Sequence, residues 1–208
     1  LIYSKKRISK GEILSSPNYL NGFKIFSIDY YTNQLINQYP DDPEYFLYLG
    51  STYGIRARTA LAGKEWLNVL YYSYQGLKYI RKAQDMDNEL MDVYMPIGLV
   101  EYFGCLSPAP VQWAARIVGL STDCQIGLQH LEKAVAESHY SWMEASNVLS
   151  YIYLHIQRDY TNAEKVITPL VDKFPGHPYF AFLKGELLAK TDSWEELNEF
   201  LPQLEKFE

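Results

Sequence analysis

Gly76-Leu77-Lys78-Tyr79-Ile80-Arg81-Lys82-Ala83 runs into the helix stop Asp87-Asn88, and its spacing decides the fold. A small residue is followed four positions on by an apolar one and three further on by another. The same cadence returns as Gly127, Leu131 and Ala134 before Ser138-His139, and as Ala163, Ile167 and Leu170 before Pro175. Offsets of three and four share one helix face. Their recurrence means that one supersecondary unit has been stacked repeatedly.

Each cadence is preceded by a second pattern. Phe46, Leu49, Gly50 and Tyr53 fall at helical offsets, as do Tyr94, Ile97, Gly98 and Tyr102; Leu149, Ser150 and Tyr153 repeat the idea. The small residue lets a neighbouring helix approach closely, and the aromatic fills the space one turn later. Nothing alternates with period two over a useful length, so no sheet is expected. Helix stops are well marked. Tyr39-Pro40-Asp41-Asp42-Pro43 closes one helix and opens another, with Asp42 as N-cap and Pro43 in the first turn. Phe174-Pro175-Gly176-His177-Pro178 does the same. Asp159-Tyr160 turns between helices, and Asp192 or Ser193 caps a last helix opened by Trp194-Glu195-Glu196.

These cadences resemble the tetratricopeptide repeat (TPR), a helix-turn-helix unit of about 34 residues with a W-x₂-L-G-x₂-Y…A-x₃-F…P pattern. Leu149, Ser150 and Tyr153, with Ala163, Ile167, Leu170 and Pro175, make the best-matched unit. Ile28, Thr32, Leu35 and Pro40 read as the second half of an earlier one. Ala181, Gly185 and Leu188, then Trp194, Leu197, Leu201 and Leu204, suggest a last one. The resemblance implies an all-α fold: a right-handed α-α superhelix, or TPR-like solenoid, of about four helical hairpins, two with insertions. It would form a single domain over residues 19–208, behind an N-terminal segment 1–18, with nine or ten helices in all.

Two units are long. The stops at Pro40 and Asn88 are 48 residues apart, those at Asn88 and His139 are 51 apart, and Pro175 follows after 36. In the first, residues 57–72 stay helix-compatible and are expected to lengthen both helices. In the second, the extra residues include Cys105, Pro108, Pro110, Trp113 and Gly119. Two prolines so placed cannot both sit inside a helix. Residues 104–123 are therefore expected to leave the hairpin and lie over one edge, with one short helix and with Trp113 and Ile117 as anchors. The runs Tyr53-Gly54-Ile55-Arg56-Ala57-Arg58 to Gly63-Lys64-Glu65-Trp66, and Gly98-Leu99 to Gly127-Leu128-Gln129-His130-Leu131-Glu132-Lys133-Ala134, are similar to a bacterial, often exported subgroup of the family. That resemblance implies a fold and a periplasmic or otherwise exported address, without a ligand.

Composition narrows the function classes. With 48% hydrophobic and 21% charged residues, the 208-residue chain reads as folded rather than disordered. Its 19 tyrosines suit both half-buried helix packing and the walls of a groove. A formal net charge of −6 argues against nucleic acid as the main partner. The cluster Lys5-Lys6-Arg7 with Lys10 reads as a solvated end. No apolar run is long enough to span a bilayer. The first residue is Leu1 rather than Met, which leads to the expectation that residues before it, a signal peptide among the candidates, have been removed. Cys105 and Cys124 bracket the irregular segment. A bridge between them would contribute about 3 kcal/mol by loop-closure entropy; the preferred expectation is two buried thiols acting as small hydrophobes.

Chemistry is scarce. His130, His139, His155 and His177 lack the spacing of a helical zinc site, and no nucleophile elbow, phosphate loop or dinucleotide fingerprint occurs. No enzyme activity, metal or cofactor is expected. Glu101 is read as a helix-edge carboxylate paired with a neighbour such as Arg56 or Arg58, and the two arginines as partners in a structural ion pair with Glu101 or Glu65, the alternative being that they hold a peptide carboxylate. The resemblance places Leu47, Ser51, Met95, Leu99, Tyr102, Asn147, Tyr151 and His155 toward a concave, partner-binding groove. That lining fits a protein or peptide, with self-association, or a C-terminal helix in the groove, as the alternative. The runner-up function is a small-ligand-binding accessory protein using a Tyr-rich groove lidded by residues 104–123.

Overall fold

In the computed structural model, which describes residues 24–205 apart from Val118, all regular structure is helical; no strand occurs among the described residues. The N-terminal segment 1–18 lies outside them. Ten α-helices are described, grouped in two compact units that divide after Asp87, at the stop read from Asp87-Asn88.

The first unit contains α1 (Lys24–Gln38), α2 (Pro43–Ala62) and α3 (Trp66–Met86). Asp42 caps α2 as expected, its carboxylate accepting the Glu44 N–H at 3.1 Å, and Pro43 follows in the first turn. The extra residues lengthen α2 and α3 to 20 and 21 residues. Their tight connection places Lys64 at φ +57°. The two helices pack along each other with Gly50 facing Gly76. A Cβ on Gly50 would lie 2.8 Å from the Gly76 carbonyl, and one on Gly76 would lie 3.0 Å from the Gly50 carbonyl.

In the second unit a 3₁₀ turn (Met91–Val93) leads into α4 (Tyr94–Cys105), then α5 (Ala109–Ile117), α6 (Cys124–Glu137) and α7 (Trp142–Tyr151). A π turn (Ile152–Gln157) extends α7, and α8 (Tyr160–Lys173), α9 (Pro178–Lys190) and α10 (Trp194–Leu204) follow. Apart from the short α5, each helix packs on the next in sequence. Gly98 and Gly127 repeat the glycine crossing: a Cβ on Gly127 would come within 2.5 Å of the Tyr102 nitrogen. In the third hairpin Ser150 and Ala163, both fully buried, take the matching sequence positions. Ser150 satisfies its hydroxyl on the Ser146 carbonyl at 2.8 Å. A lysine of a second helix also covers an aromatic of a first helix three times: Lys82 over Phe46, Lys133 over Tyr94, and Lys173 over Trp142, at 4.0–4.1 Å.

The core of this unit is Tyr102, Leu131, Leu149, Ile152, Leu154, Ile167, Leu170 and Leu183. Buried Asp92 ties the 3₁₀ turn to the start of α7. Its carboxylate accepts the backbone N–H groups of His139, Tyr140 and Ser141 at 3.2, 2.8 and 2.6 Å. It thereby serves the orphan donors of a helix end from a distant part of the chain.

Two expectations for residues 104–123 are corrected. Cys105, which ends α4, and Cys124, which begins α6, are joined in a disulfide with Cα atoms 5.3 Å apart, so they are not free thiols. The segment does leave the hairpin and forms the short α5, but Trp113 and Ile117 point outward, Trp113 being 67% exposed. The anchors are Ala115 and Leu120, both buried. Gly119 at φ +76° allows the Leu120 N–H to turn back onto the Ala115 carbonyl at 2.9 Å, and this carries Leu120 inward.

Candidate functional site

The eight groove positions read from the sequence fall into three classes. Leu47 on α2, and Met95 and Tyr102 on α4, are buried and belong to the core, which corrects their placement on an accessible wall. Tyr102 is only 2% exposed. Its ring meets Phe103 edge-on at 5.6 Å, and its hydroxyl lies 3.5 Å from the Gln157 amide. Burial raises the Tyr102 phenol above its ordinary pKa, with the Gln157 hydrogen bond opposing. Ser51, Leu99 and Asn147 are half-buried. Tyr151, 49% exposed, and His155 are accessible.

Tyr151 ends α7 and His155 lies in the π turn, their rings 4.9 Å apart. His155 Nδ1 reaches Glu186 Oε1 on α9 at 3.5 Å, and Lys190 Nζ reaches the same oxygen at 3.5 Å. On α9, Tyr179, Phe182, Glu186 and Lys190 recur at intervals of three, four and four, which puts them on one face. Tyr179 is half-exposed and Phe182 is 59% exposed. Burial, with the charge of Glu186 adding, raises the Tyr179 phenol above its ordinary range. One accessible face thus carries three aromatic rings around an imidazole, a carboxylate and an ammonium. It offers flat apolar area with hydrogen-bonding groups between the rings, the chemistry of an interface. Glu186, Tyr179 and Phe182 were not read from the sequence as site residues, although their spacing behind Pro178 was visible there.

The other polar residues singled out from the sequence have local partners. Glu101 is buried and sits 2.6 Å from His130 Nδ1 on α6, so the partner shown for it is an imidazole where an arginine was expected. The His130 ring in turn lies tilted against Tyr94, centroids 5.2 Å apart, the ring that Lys133 covers. The Arg56 guanidinium lies over the Tyr53 and Tyr72 rings at 5.5 and 5.8 Å. Tyr153 donates its hydroxyl to Glu132, and burial followed by that carboxylate pushes its phenol well above the usual range. Among the described residues no group of three or more His, Cys, Asp or Glu is placed to hold a metal ion.

Comparison with family models, with curated proteins and with solved structures returns no match to this chain.

Proposed function

We propose that this chain is a non-catalytic scaffold that holds a protein or peptide segment, and that its second unit does so on the face built by α7, the π turn and α9. The observation that carries this reading is the accessible trio Tyr151, Tyr179 and Phe182 around His155 and Glu186. Exposed aromatic area is costly to leave in water and is the usual anchor of an interface. The repeat resemblance agrees in kind: a TPR-like superhelix would present its first helices, here α7 and α9, along its concave side. In that reading the chain is a member of an exported TPR subgroup, and the disulfide suits an oxidising compartment.

The experiment is selection of binding peptides from a displayed random library on the whole chain, followed by titration of the best peptide against Tyr151→Ala and Phe182→Ala. Each substitution is expected to weaken binding about 30-fold, the equivalent of roughly 2 kcal/mol, with the melting temperature unchanged. A peptide that binds both variants as tightly as the parent chain would exclude this face.

A further inference from the structure

The last described helix, α10, is charged with one sign only. Residues 191–205 hold five carboxylates, Asp192, Glu195, Glu196, Glu199 and Glu205, and no Lys or Arg. Lys206 and Glu208, which follow in the sequence, cancel. All five are exposed, and among the described residues none of their side chains has an ion-pair or hydrogen-bond partner. The cations of α9, Lys184 and Lys190, leave them uncompensated, Lys190 reaching Glu186 instead. Glu195 and Glu196 have a reason within the fold, because a carboxylate in the first turn favours the helix dipole. The remainder runs against helix stability. Glu199 stands four residues from Glu195 and three from Glu196, where like charges destabilise a helix. Glu205 closes α10 at the end where the dipole disfavours a carboxylate.

The same helix leaves apolar surface in water. Leu197 and Leu204 turn inward onto α9, where a Cβ on Gly185 would meet Leu204 at 2.9 Å and Leu197 at 4.0 Å. Trp194 and Leu201 do not follow them: they are 55% and 40% exposed. With exposed Asn198 between them they recur at intervals of four and three, which makes one stripe along the outside of the helix. Glu205, four beyond Leu201, continues the stripe, and Glu195 and Glu199 run beside it. Pro202 brings no N–H, so the Asn198 carbonyl lacks its helical donor in the middle of this surface.

We propose that the outer face of α10 takes up a cationic amphipathic helix of another protein, whose apolar side covers Trp194 and Leu201 and whose Lys and Arg meet Glu195, Glu199 and Glu205. Charge decides the occupant. A second copy of this chain would bring the same five carboxylates to a symmetric contact, and nucleic acid or anionic lipid would be repelled likewise. A cationic helix relieves the repulsion between Glu195 and Glu199. It supplies at Glu205 the positive charge that a helix C-terminus favours, and it places a guanidinium or ammonium over the Trp194 indole. Apolar anchors at helical spacing with complementary charge beside them are the usual terms of helix recognition. This surface is separate from the α7–α9 face, and the inference does not depend on the reading of that face.

The test titrates the whole chain into a labelled synthetic helix of about 18 residues, five turns, built of Leu and Lys with one apolar stripe, and into its counterpart with Glu in place of Lys. Fluorescence anisotropy reads the binding. Binding of the lysine peptide only, weakened by added salt, is expected. Glu195→Gln with Glu199→Gln should weaken it about tenfold. The melting temperature of that variant should equal or exceed the parent's, because a like-charge pair has gone. Trp194→Ala should weaken binding about 30-fold, and Leu201→Ser about tenfold; melting curves of both check that they are folded. Glu164→Gln with Asp172→Asn removes two exposed carboxylates of α8 and should change binding by less than about twofold. The proposal is overturned if the lysine peptide does not bind, if the glutamate peptide binds equally, if the α8 variant weakens binding as much as the α10 one, or if the α10 variants all bind like the parent. A concentration-dependent dimer in light scattering that Trp194→Ala dissolves would overturn it as well, because a second copy would then be what covers the stripe.

Discussion

Gly127→Ala and Gly54→Ala make the same chemical change with opposite expected outcomes. Both glycines sit inside helices at negative φ, so an added methyl gains helix propensity of about 1 kcal/mol at each. At Gly54 a Cβ would meet nothing within 4 Å, and the gain stands alone. At Gly127 the Cβ would lie 2.5 Å from the Tyr102 nitrogen, 2.9 Å from the Tyr102 Cα and 2.9 Å from the Gly98 carbonyl. All three are backbone atoms of α4, so no side-chain rotation relieves the clash, and the two helices must separate by most of an ångström. A gap of that size forfeits a quarter to a half of each dispersion contact it opens. The contacts concerned are those of Tyr102 and Leu131, at the centre of the second unit's core. Overpacking of this kind costs about 3 kcal/mol, leaving a net loss near 2 kcal/mol once propensity is credited. For a chain of this length that is a fall of about 4–8 °C in melting temperature, against a rise of about 2 °C or more for Gly54→Ala. Thermal denaturation followed by circular dichroism at 222 nm, with urea titration for the free energies, measures both. If the two variants shift in the same direction, the glycine crossing is not what sets the distance between α4 and α6.

The disulfide closes a loop with a sequence separation of 19, for which the chain-entropy estimate is about 3 kcal/mol. Cys105→Ser with Cys124→Ser, or a reductant, should lower the urea midpoint accordingly; an unchanged midpoint would mean that α5 is held by Ala115 and Leu120 alone. Alkaline pH should destabilise the fold. The phenols of Tyr102, Tyr153 and Tyr179 all have raised pKa values in the folded state, so their contribution is complete below the unfolded value near 10 and is lost as pH rises beyond it. Tyr153→Phe, which keeps the ring and removes the ionisable hydroxyl, should flatten the decline between pH 10 and pH 12 in stability measured by urea unfolding, and an equally steep decline in that variant would assign it to other groups.

What could be read from the sequence was what depends on neighbours along the chain. The Asp42 cap, the lengthened α2 and α3 and the stop at Asp87-Asn88 follow from propensity and capping within a few residues. The small residues at the crossings were legible because a glycine inside a helix needs a packing reason, and here a facing glycine supplies it. What could not be read was which side of a largely apolar helix would meet a partner. The buried residues of α4 include Met95, Ile97, Gly98, Glu101 and Tyr102, more than a single narrow stripe, so periodicity chose no face and Tyr102 went to the core. On α5 the pair Trp113 and Ile117, four apart, made as good a stripe as the true anchors. Only the left-handed turn at Gly119, which brings Leu120 under the helix, decides between them. Glu101 and His130 are 29 residues apart, beyond any local rule.

The π turn explains why the candidate face was found only in half. The repeat resemblance placed Tyr151 and His155 toward a groove, and both side chains are exposed. From Ile152 onward, however, the helix widens to i→i+5 bonding, which redirects every side chain after Tyr151 relative to a regular α-helix. Arg158 at φ +56° then ends it, and the Asp159 N–H returns to the Tyr153 carbonyl at 2.9 Å. It is this widened turn that holds His155 within 3.5 Å of Glu186 and so joins the α7 side chains to the Tyr179 and Phe182 stripe of α9. No spacing rule for α-helices contains that step. π turns inside α-helices are rare and often mark functional sites, because a less regular backbone persists only where surrounding contacts hold it. The face proposed to bind therefore coincides with the described helix whose backbone departs furthest from the pattern that made the fold legible.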